Sequence, residues 1–308
     1  MKNNAIRMPS DWIIYALLTL AMFFWGLSFV WAKVVFAYYR PITVIFLRLV
    51  ISTSLIVALE SALRVSQPIH PGDLKKFCRL AFFQPFLYFL GESFGLYFVS
   101  STIASIMVAV IPVVTPFFAF LFLKERLSLM GILGLVLSFI GVLLIVVNPD
   151  SLLQFSGLGI GLLMAAVISS IGYVIELRKL TFHYTPLTIL KYQNLLGGFY
   201  FLPLFLIFDF THFIRIKPSF ELVVNMIYLI VFASILAFVF FNLAVQRFGI
   251  NRSNIFTNTI PLFTALFSYW ILDERLDIQS MLGILVVVGG VFLAQYKPGA
   301  GGCRNRTA

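Results

Sequence analysis

The sequence predicts an all-α integral membrane protein, with ten transmembrane helices arranged as two inverted five-helix repeats. Three observations predict it: an apolar composition, a series of charge-free stretches of spanning length, and a match of the chain to itself. Of 308 residues, 61% are hydrophobic and 11% charged. Soluble domains carry about 25% charged residues. Water is a poor solvent for so much apolar surface, and the bilayer is the solvent that accepts it.

Residues 12–32, 127–149, 151–175, 222–246, 253–272 and 278–296 contain no Asp, Glu, Lys or Arg. A spanning helix needs about 20 predominantly apolar residues, so these runs have the right length. Residues 93–123 are also charge-free but too long for one crossing, and Ser100-Ser101-Thr102 divides them. The expected spans are 12–34, 42–61, 77–98, 102–123, 129–147, 157–177, 187–208, 222–246, 252–272 and 279–296. The first run lacks a small-residue cleavage site and reads as a retained helix.

Basic residues orient the chain, because cytoplasmic loops carry an excess of Lys and Arg. With the N-terminus inside, the inner segments hold 15 of them. The outer segments hold 5: Lys33, Arg40, Arg215, Lys217 and Arg275. Both termini are therefore expected to be cytoplasmic, in a multi-pass protein of the cell membrane.

A shift of 149 residues aligns the chain with itself. Ile111-Pro112 meets Ile260-Pro261, and Leu123, Glu125, Arg126 and Leu127 meet Leu272, Glu274, Arg275 and Leu276. Over 111–144 there are 13 identities in 34 positions. A shorter match links Pro41-Ile42-Thr43 to Pro186-Leu187-Thr188. Five is odd, so the second repeat enters the membrane upside down, a plan common among secondary transporters. The expected divisions are residues 1–147, an outside linker at 148–156, a second repeat at 157–297 and a flexible cytoplasmic tail at 298–308. The two Glu-Arg-Leu turns should lie on opposite faces.

These residues carry a resemblance. Trp25-Gly26 with Phe29-Val30 and Lys33, Arg48 within Phe46-Leu47-Arg48-Leu49, and the run from Ala104 through Pro112 and Pro116 to Leu127 resemble the EamA family of the drug/metabolite transporter superfamily. The second copy, Pro261 to Leu276, fits as well. The resemblance implies spans 1–4 and 6–9 around a central cavity, with spans 5 and 10 as scaffold. It also implies export of small metabolites, amino acids or amphipathic compounds without ATP. Glu92 departs from the family pattern, which has an uncharged residue there.

Charges inside spans are costly and usually face a cavity or a bundle interior. Arg48 and Glu92 each lie about 6 residues from the outer ends of spans 2 and 3. At about 1.5 Å per residue they share a depth of about 9–10 Å, so an ion pair or a shared substrate site is open to them. Snorkelling of Arg48 and a neutral Glu92 bonded to a neighbour are the alternatives. The second half has a polar belt of Gln193, Asn194, Asn242, Asn254, Thr257 and Asn258, at mirrored depth. Its bland reading is interhelical bonding. Lys191 and Glu176 read as interfacial charges. Pro112, Pro116 and Pro261 sit inside spans and read as kinks, hinges or cavity walls. Trp25, Tyr173 and Phe24 are candidates to line a cavity. Gly134, Gly141, Gly283 and Gly290 read as close helix packing.

No G-x-x-x-x-G-K-[ST] loop occurs, and His70, His183 and His212 are unclustered loop residues. Neither a metal, a cofactor nor a catalytic group is expected, and the chain reads as a non-enzyme. Cys78 and Cys303 do not suggest a disulfide framework. The formal charge of +10 is spread over short loops and makes no nucleic-acid patch. The expected partners are a small-molecule substrate, the lipid bilayer and a proton or counter-substrate. A lipid-modifying enzyme and a non-transporting assembly partner remain open, and the oligomeric state is unassigned.

Overall fold

The computed structural model describes residues 9–124, 128–146, 156–272 and 278–295. These residues are helical apart from short connections, and no strand occurs among them. The helices are α1 (Asp11–Phe36), α2 (Pro41–Leu63), α3 (74–98), α4 (Ser101–Leu123), α5 (Leu129–Val146), α6 (Gly157–Leu180), α7 (Pro186–Phe213), α8 (Phe220–Phe248), α9 (250–271) and α10 (Ile278–Gln295). By length and hydropathy, six of the described helices suffice to cross a membrane: α1, α2, α4, α6, α7 and α8. The two Glu-Arg-Leu turns, residues 148–155 of the linker and the tail at 298–308 lie outside the described residues.

Local chemistry sets the helix ends. Pro41 and Pro186 open α2 and α7 after extended Arg40 and Thr185, where the missing N–H costs nothing. Ser100, Ser156, Thr185 and Ser219 cap their helices by accepting a hydrogen bond from the backbone N–H three residues on. The chain leaves α8 at Gly249, with φ of 83°, a conformation that favours glycine.

Polar contacts reveal the relative directions of α1, α2, α3, α6, α7 and α8. The start of α1 meets the end of α8 through Asp11 and Arg247, at 2.9 Å. The end of α2 meets the start of α7 through Glu60 and Lys191, at 2.5 Å. The start of α3 meets the end of α6 through Arg79 and Glu176, at 3.3 Å. All three lie on one face, here called the N-terminal face. On the opposite face, Asp209 near the end of α7 accepts from the backbone N–H and hydroxyl of Thr43 at the start of α2, each at 3.0 Å. Thus α1 begins where α6 ends, and α2 runs antiparallel to α7.

Several helices are interrupted. In α3 the helix is kinked at 82–87, where Gln84 is extended at φ −145° and ψ 122° before Pro85. In α8, Leu229–Leu236 is wound as a π-helix. Side chains donate to backbone carbonyls at these breaks, which suits a medium without water. The Ser169 hydroxyl donates to Phe83 O at 2.7 Å, and Trp25 Nε1 donates to Ala233 O at 3.2 Å. The Ser234 hydroxyl donates to Leu229 O at 3.0 Å.

Helices α4 and α9 break at equivalent places. A turn at 109–110 divides α4, and a 3-10 turn, Phe256–Thr259, divides α9. Pro112 and Pro261 stand in the first turn of the helix that follows each break, whereas Pro116 lies inside the second segment of α4. Helices α5 and α10 pack backbone to backbone. A Cβ on Gly141 would lie 2.6 Å from Val287 N, and one on Gly290 would strike Ser138 N.

Candidate functional site

A cavity opens at mid-bundle where the two halves of the chain meet. Trp25, Ser28 and Phe29 of α1, Arg48 of α2, and Gln84, Tyr88, Phe89 and Glu92 of α3 line it. Val108 and Ile111 of α4 flank the break in that helix; Thr257 lies within the break in α9 and Ile260 directly follows it. Ser170, Tyr173 and Val174 of α6, Phe238 and Phe241 of α8, and Asn254 complete the wall. The centre of a water-sized sphere can occupy about 60 Å³ of it. One water needs roughly 10–15 Å³ by that measure, so a few waters fit and a metabolite requires the walls to part.

One buried cation and one half-buried acid face this space. Arg48 Nε donates to Ser234 Oγ at 3.0 Å, and the guanidinium carbon lies 4.9 Å from the centre of the Phe89 ring. The terminal nitrogens of Arg48 have no protein hydrogen-bond partner among the described residues, which leaves two donor groups for a ligand. Glu92 accepts from the Tyr88 hydroxyl at 2.8 Å through one oxygen. No ion pair joins Arg48 to Glu92 among the described residues; they share the cavity without touching. Serine and an aromatic face occupy the guanidinium instead.

An aromatic wall stands beside the charges. The Trp25 ring packs 5.1 Å from Phe238 and 5.2 Å from Phe241, centre to centre. The arrangement offers a fork of donors, one carboxylate and a flat apolar surface within a single small volume. Such a combination of an apolar wall with a few placed polar groups is the usual make-up of a small-molecule site.

Of the residues singled out from sequence, Trp25, Arg48, Glu92, Tyr173, Asn254 and Thr257 line the cavity, and Asn254 also donates to Thr115 Oγ1 at 3.1 Å. Asn242 stands behind it, accepting from the Tyr173 hydroxyl at 3.4 Å. Gln193 is buried, and its Oε1 has no partner. Asn194 donates to Ser52 Oγ at 2.9 Å and ties α7 to α2. Asn258 donates to Ser138 Oγ and ties α9 to α5. These last two make the interhelical bonds of the bland reading. Phe24 packs on Phe232 rather than on the cavity. The three prolines do not line it; Ile111 and Ile260, each one residue before a proline, do.

Lys191 departs from the sequence reading. It is 7% exposed rather than snorkelling to the interface, because Glu60 of α2 lies within 2.5 Å of its Nζ. Glu176 bridges Arg79 and Lys179, at 3.3 and 3.1 Å. Sequence reasoning passed over Ser28, Gln84, Tyr88 and Ser170. Gln84-Pro85 inside an apolar run was the available signal, since proline frees the backbone groups of a helix.

The EamA-like transporter family model matches this chain twice, over residues 12–147 and 157–296. An uncharacterized transporter of Archaeoglobus fulgidus is 24% identical over 287 residues, covering 93% of this chain and 99% of that one. The uncharacterized transporter YcxC of Bacillus subtilis is 28% identical over 287 residues, covering 90% and 91%. A solved crystal structure superposes with a TM-score of 0.74 over 92% of this chain and 98% of its own, at 13% identity, a likeness of fold. With both halves matched and the helices closing on a shared polar cavity, the chain belongs to the EamA-like transporter family.

Proposed function

We propose that this protein is a secondary carrier that exports small metabolites, amino acids or amphipathic compounds by alternating access. One observation carries the reading: a buried arginine with free donors and a carboxylate face one small cavity lined from both halves. Charges at that depth are expensive, and a ligand or a coupled ion accounts for their presence. In this reading Arg48 and Glu92 bind or couple, and Trp25, Tyr173 and Thr257 shape the site. Gln193, Asn194, Asn242 and Asn258 support it from behind. The breaks before Pro112 and Pro261 let the walls part, and Pro116, inside the second segment of α4, is a further hinge.

The reading includes ten crossings in two inverted repeats, residues 1–147 and 157–297, and a cell-membrane location with both termini cytoplasmic. The loop charges support that orientation. Glu92 is the proton-coupling candidate.

The test is reconstitution. A ligand-dependent thermal-shift screen across amino acids, purines, sugars and amphipathic cations selects a substrate, and its flux is followed in proteoliposomes. Arg48→Ala is expected to lower flux by at least about tenfold, the equivalent of one lost charge-assisted hydrogen bond. Glu92→Gln is expected to flatten the dependence of flux on a pH gradient. Wild-type flux in Arg48→Ala, or an unchanged gradient response in Glu92→Gln, would remove that residue from the mechanism.

A further inference from the structure

We infer that Glu60 and Lys191 form a latch that closes the seam between α2 and α7 at the N-terminal face and must open in each transport cycle. The inference deepens the carrier reading, and it rests on a site outside the central cavity.

Among the described ion pairs, this alone has both members buried, with side-chain exposures of 9% and 3%. Every other described pair keeps at least one partner 40% exposed or more. Lys191 also lies 3.5 Å from Ser66 Oγ, and Glu60 Oε1 has no partner at all. A buried ion pair is a poor static brace. Its desolvation cost offsets most of its attraction, and two packed apolar side chains would hold the seam as well. Elsewhere these two helices bury Ile45, Leu49, Ile189 and Leu190 and use neutral or capping hydrogen bonds, Asn194 to Ser52 and Thr43 to Asp209, rather than a buried ion pair.

What an ion pair does better is separate. Glu60 lies three residues before the end of α2, and Lys191 five residues after the start of α7. When the helix ends part, water reaches both charges and returns their hydration. The closed and open states are thus close in free energy, whereas apolar partners would resist exposure. The unpaired Glu60 oxygen narrows the margin further, since an unmet buried acceptor disfavours the closed state.

The neighbourhood is bonded for closure on this face. Gln67 donates to His183 O and accepts from Thr185 N, at 3.0 and 3.1 Å. The Tyr184 hydroxyl donates to Asp73 at 2.7 Å. Both contacts join the loop after α2 to the loop before α7, across the two halves. At the other end of the same helix pair no buried ion pair occurs among the described residues. Asp209 caps α2, and its cation, Arg40, is 58% exposed at 3.8 Å.

The test reads accessibility and needs no substrate, so it stays informative if the carrier reading fails. Ser170→Cys, in the cavity wall, is the reporter in full-length protein with Cys78→Ser and Cys303→Ser. Vesicles are sorted by an N-terminal tag, and a membrane-impermeant thiol reagent is added on the tag side. With the pair intact, labelling is expected to be slow. Lys191→Met strands a charge and is expected to speed it by at least about tenfold. The apolar double, Glu60→Leu with Lys191→Met, is expected to remain folded and return labelling to the slow rate or below it. Equal rates in Lys191→Met and the intact pair would overturn the latch, and so would an apolar double that labels as fast as Lys191→Met. If Lys191→Met does not fold, the reversed pair, Glu60→Lys with Lys191→Glu, carries the test. Slow labelling upholds the latch and fast labelling overturns it.

Discussion

Trp25 shows how one side chain can serve the fold and the site together. Its ring walls the cavity, and its Nε1–H satisfies a carbonyl freed by the π-helix of α8. Trp25→Phe keeps most of the packing and leaves Ala233 O without its donor. A loss of about 1–3 kcal/mol in stability is expected, read as a lower melting temperature in detergent. An unchanged melting temperature would mean that the bond contributes nothing. Asp73 provides a pH test outside the membrane spans. The hydrogen bond from Lys76, and then that from the Tyr184 hydroxyl, hold its carboxyl below the ordinary value of 3.8. A carboxyl held low in the folded loop stabilises it at pH values above the ordinary range, and the effect vanishes as acid protonates the group. Hydrogen-exchange protection of residues 181–185 should therefore fall on acidification in the wild type and stay flat in Asp73→Asn. Parallel profiles in the two proteins would refute that role. At this scale the sequence was informative where a charge stood alone. Arg48 and Glu92 stand out because nothing nearby on the chain can neutralise them. Glu60 and Lys191 did not, since each lies near a span end where snorkelling is equally favourable, and only the fold brings them together.

The elements repeat that contrast. Pro41 and Pro186 mark helix starts, and Pro112 and Pro261 mark the breaks in α4 and α9, because proline acts on the backbone wherever the chain goes. The π-helix at Leu229–Leu236 had no such signal. It is apolar apart from Ser234, and one of its carbonyls, Ala233 O, accepts from Trp25, over 200 positions away. The Ser169 hydroxyl adds a second bond to the Phe83 carbonyl, which also accepts from Tyr88 N–H, and so ties α6 to the break in α3. Ser169→Ala is expected to cost about 0.5–1.5 kcal/mol, the net worth of one hydrogen bond, read by thermal melting. Retention of wild-type stability would show that this bond contributes nothing. Glycine seven residues apart in α5 and α10 was legible as close packing, and Gly141 and Gly290 do meet the partner backbone. Gly290→Leu is expected to push these helices apart at a cost of about 1–3 kcal/mol, checked by thermal melting. An unaltered melt would mean that the contact is looser than its geometry indicates.

For the whole molecule, the proposed inverted repeat accounts together for the self-match of the sequence and the antiparallel course of α2 and α7. In that reading an odd number of helices per half turns the second half over, and residues at equal depth in each half converge on mid-bundle. That convergence gives the cavity its mixed lining and places a charge pair at one end of a helix seam. Accessibility of the two Glu-Arg-Leu turns tests this arrangement most directly. Single cysteines at Glu125 and Glu274, in sealed vesicles of known orientation, would be labelled with a membrane-impermeant reagent. The account requires one position to react only from outside the vesicle and the other only from within. Reaction of both from the same side would contradict it.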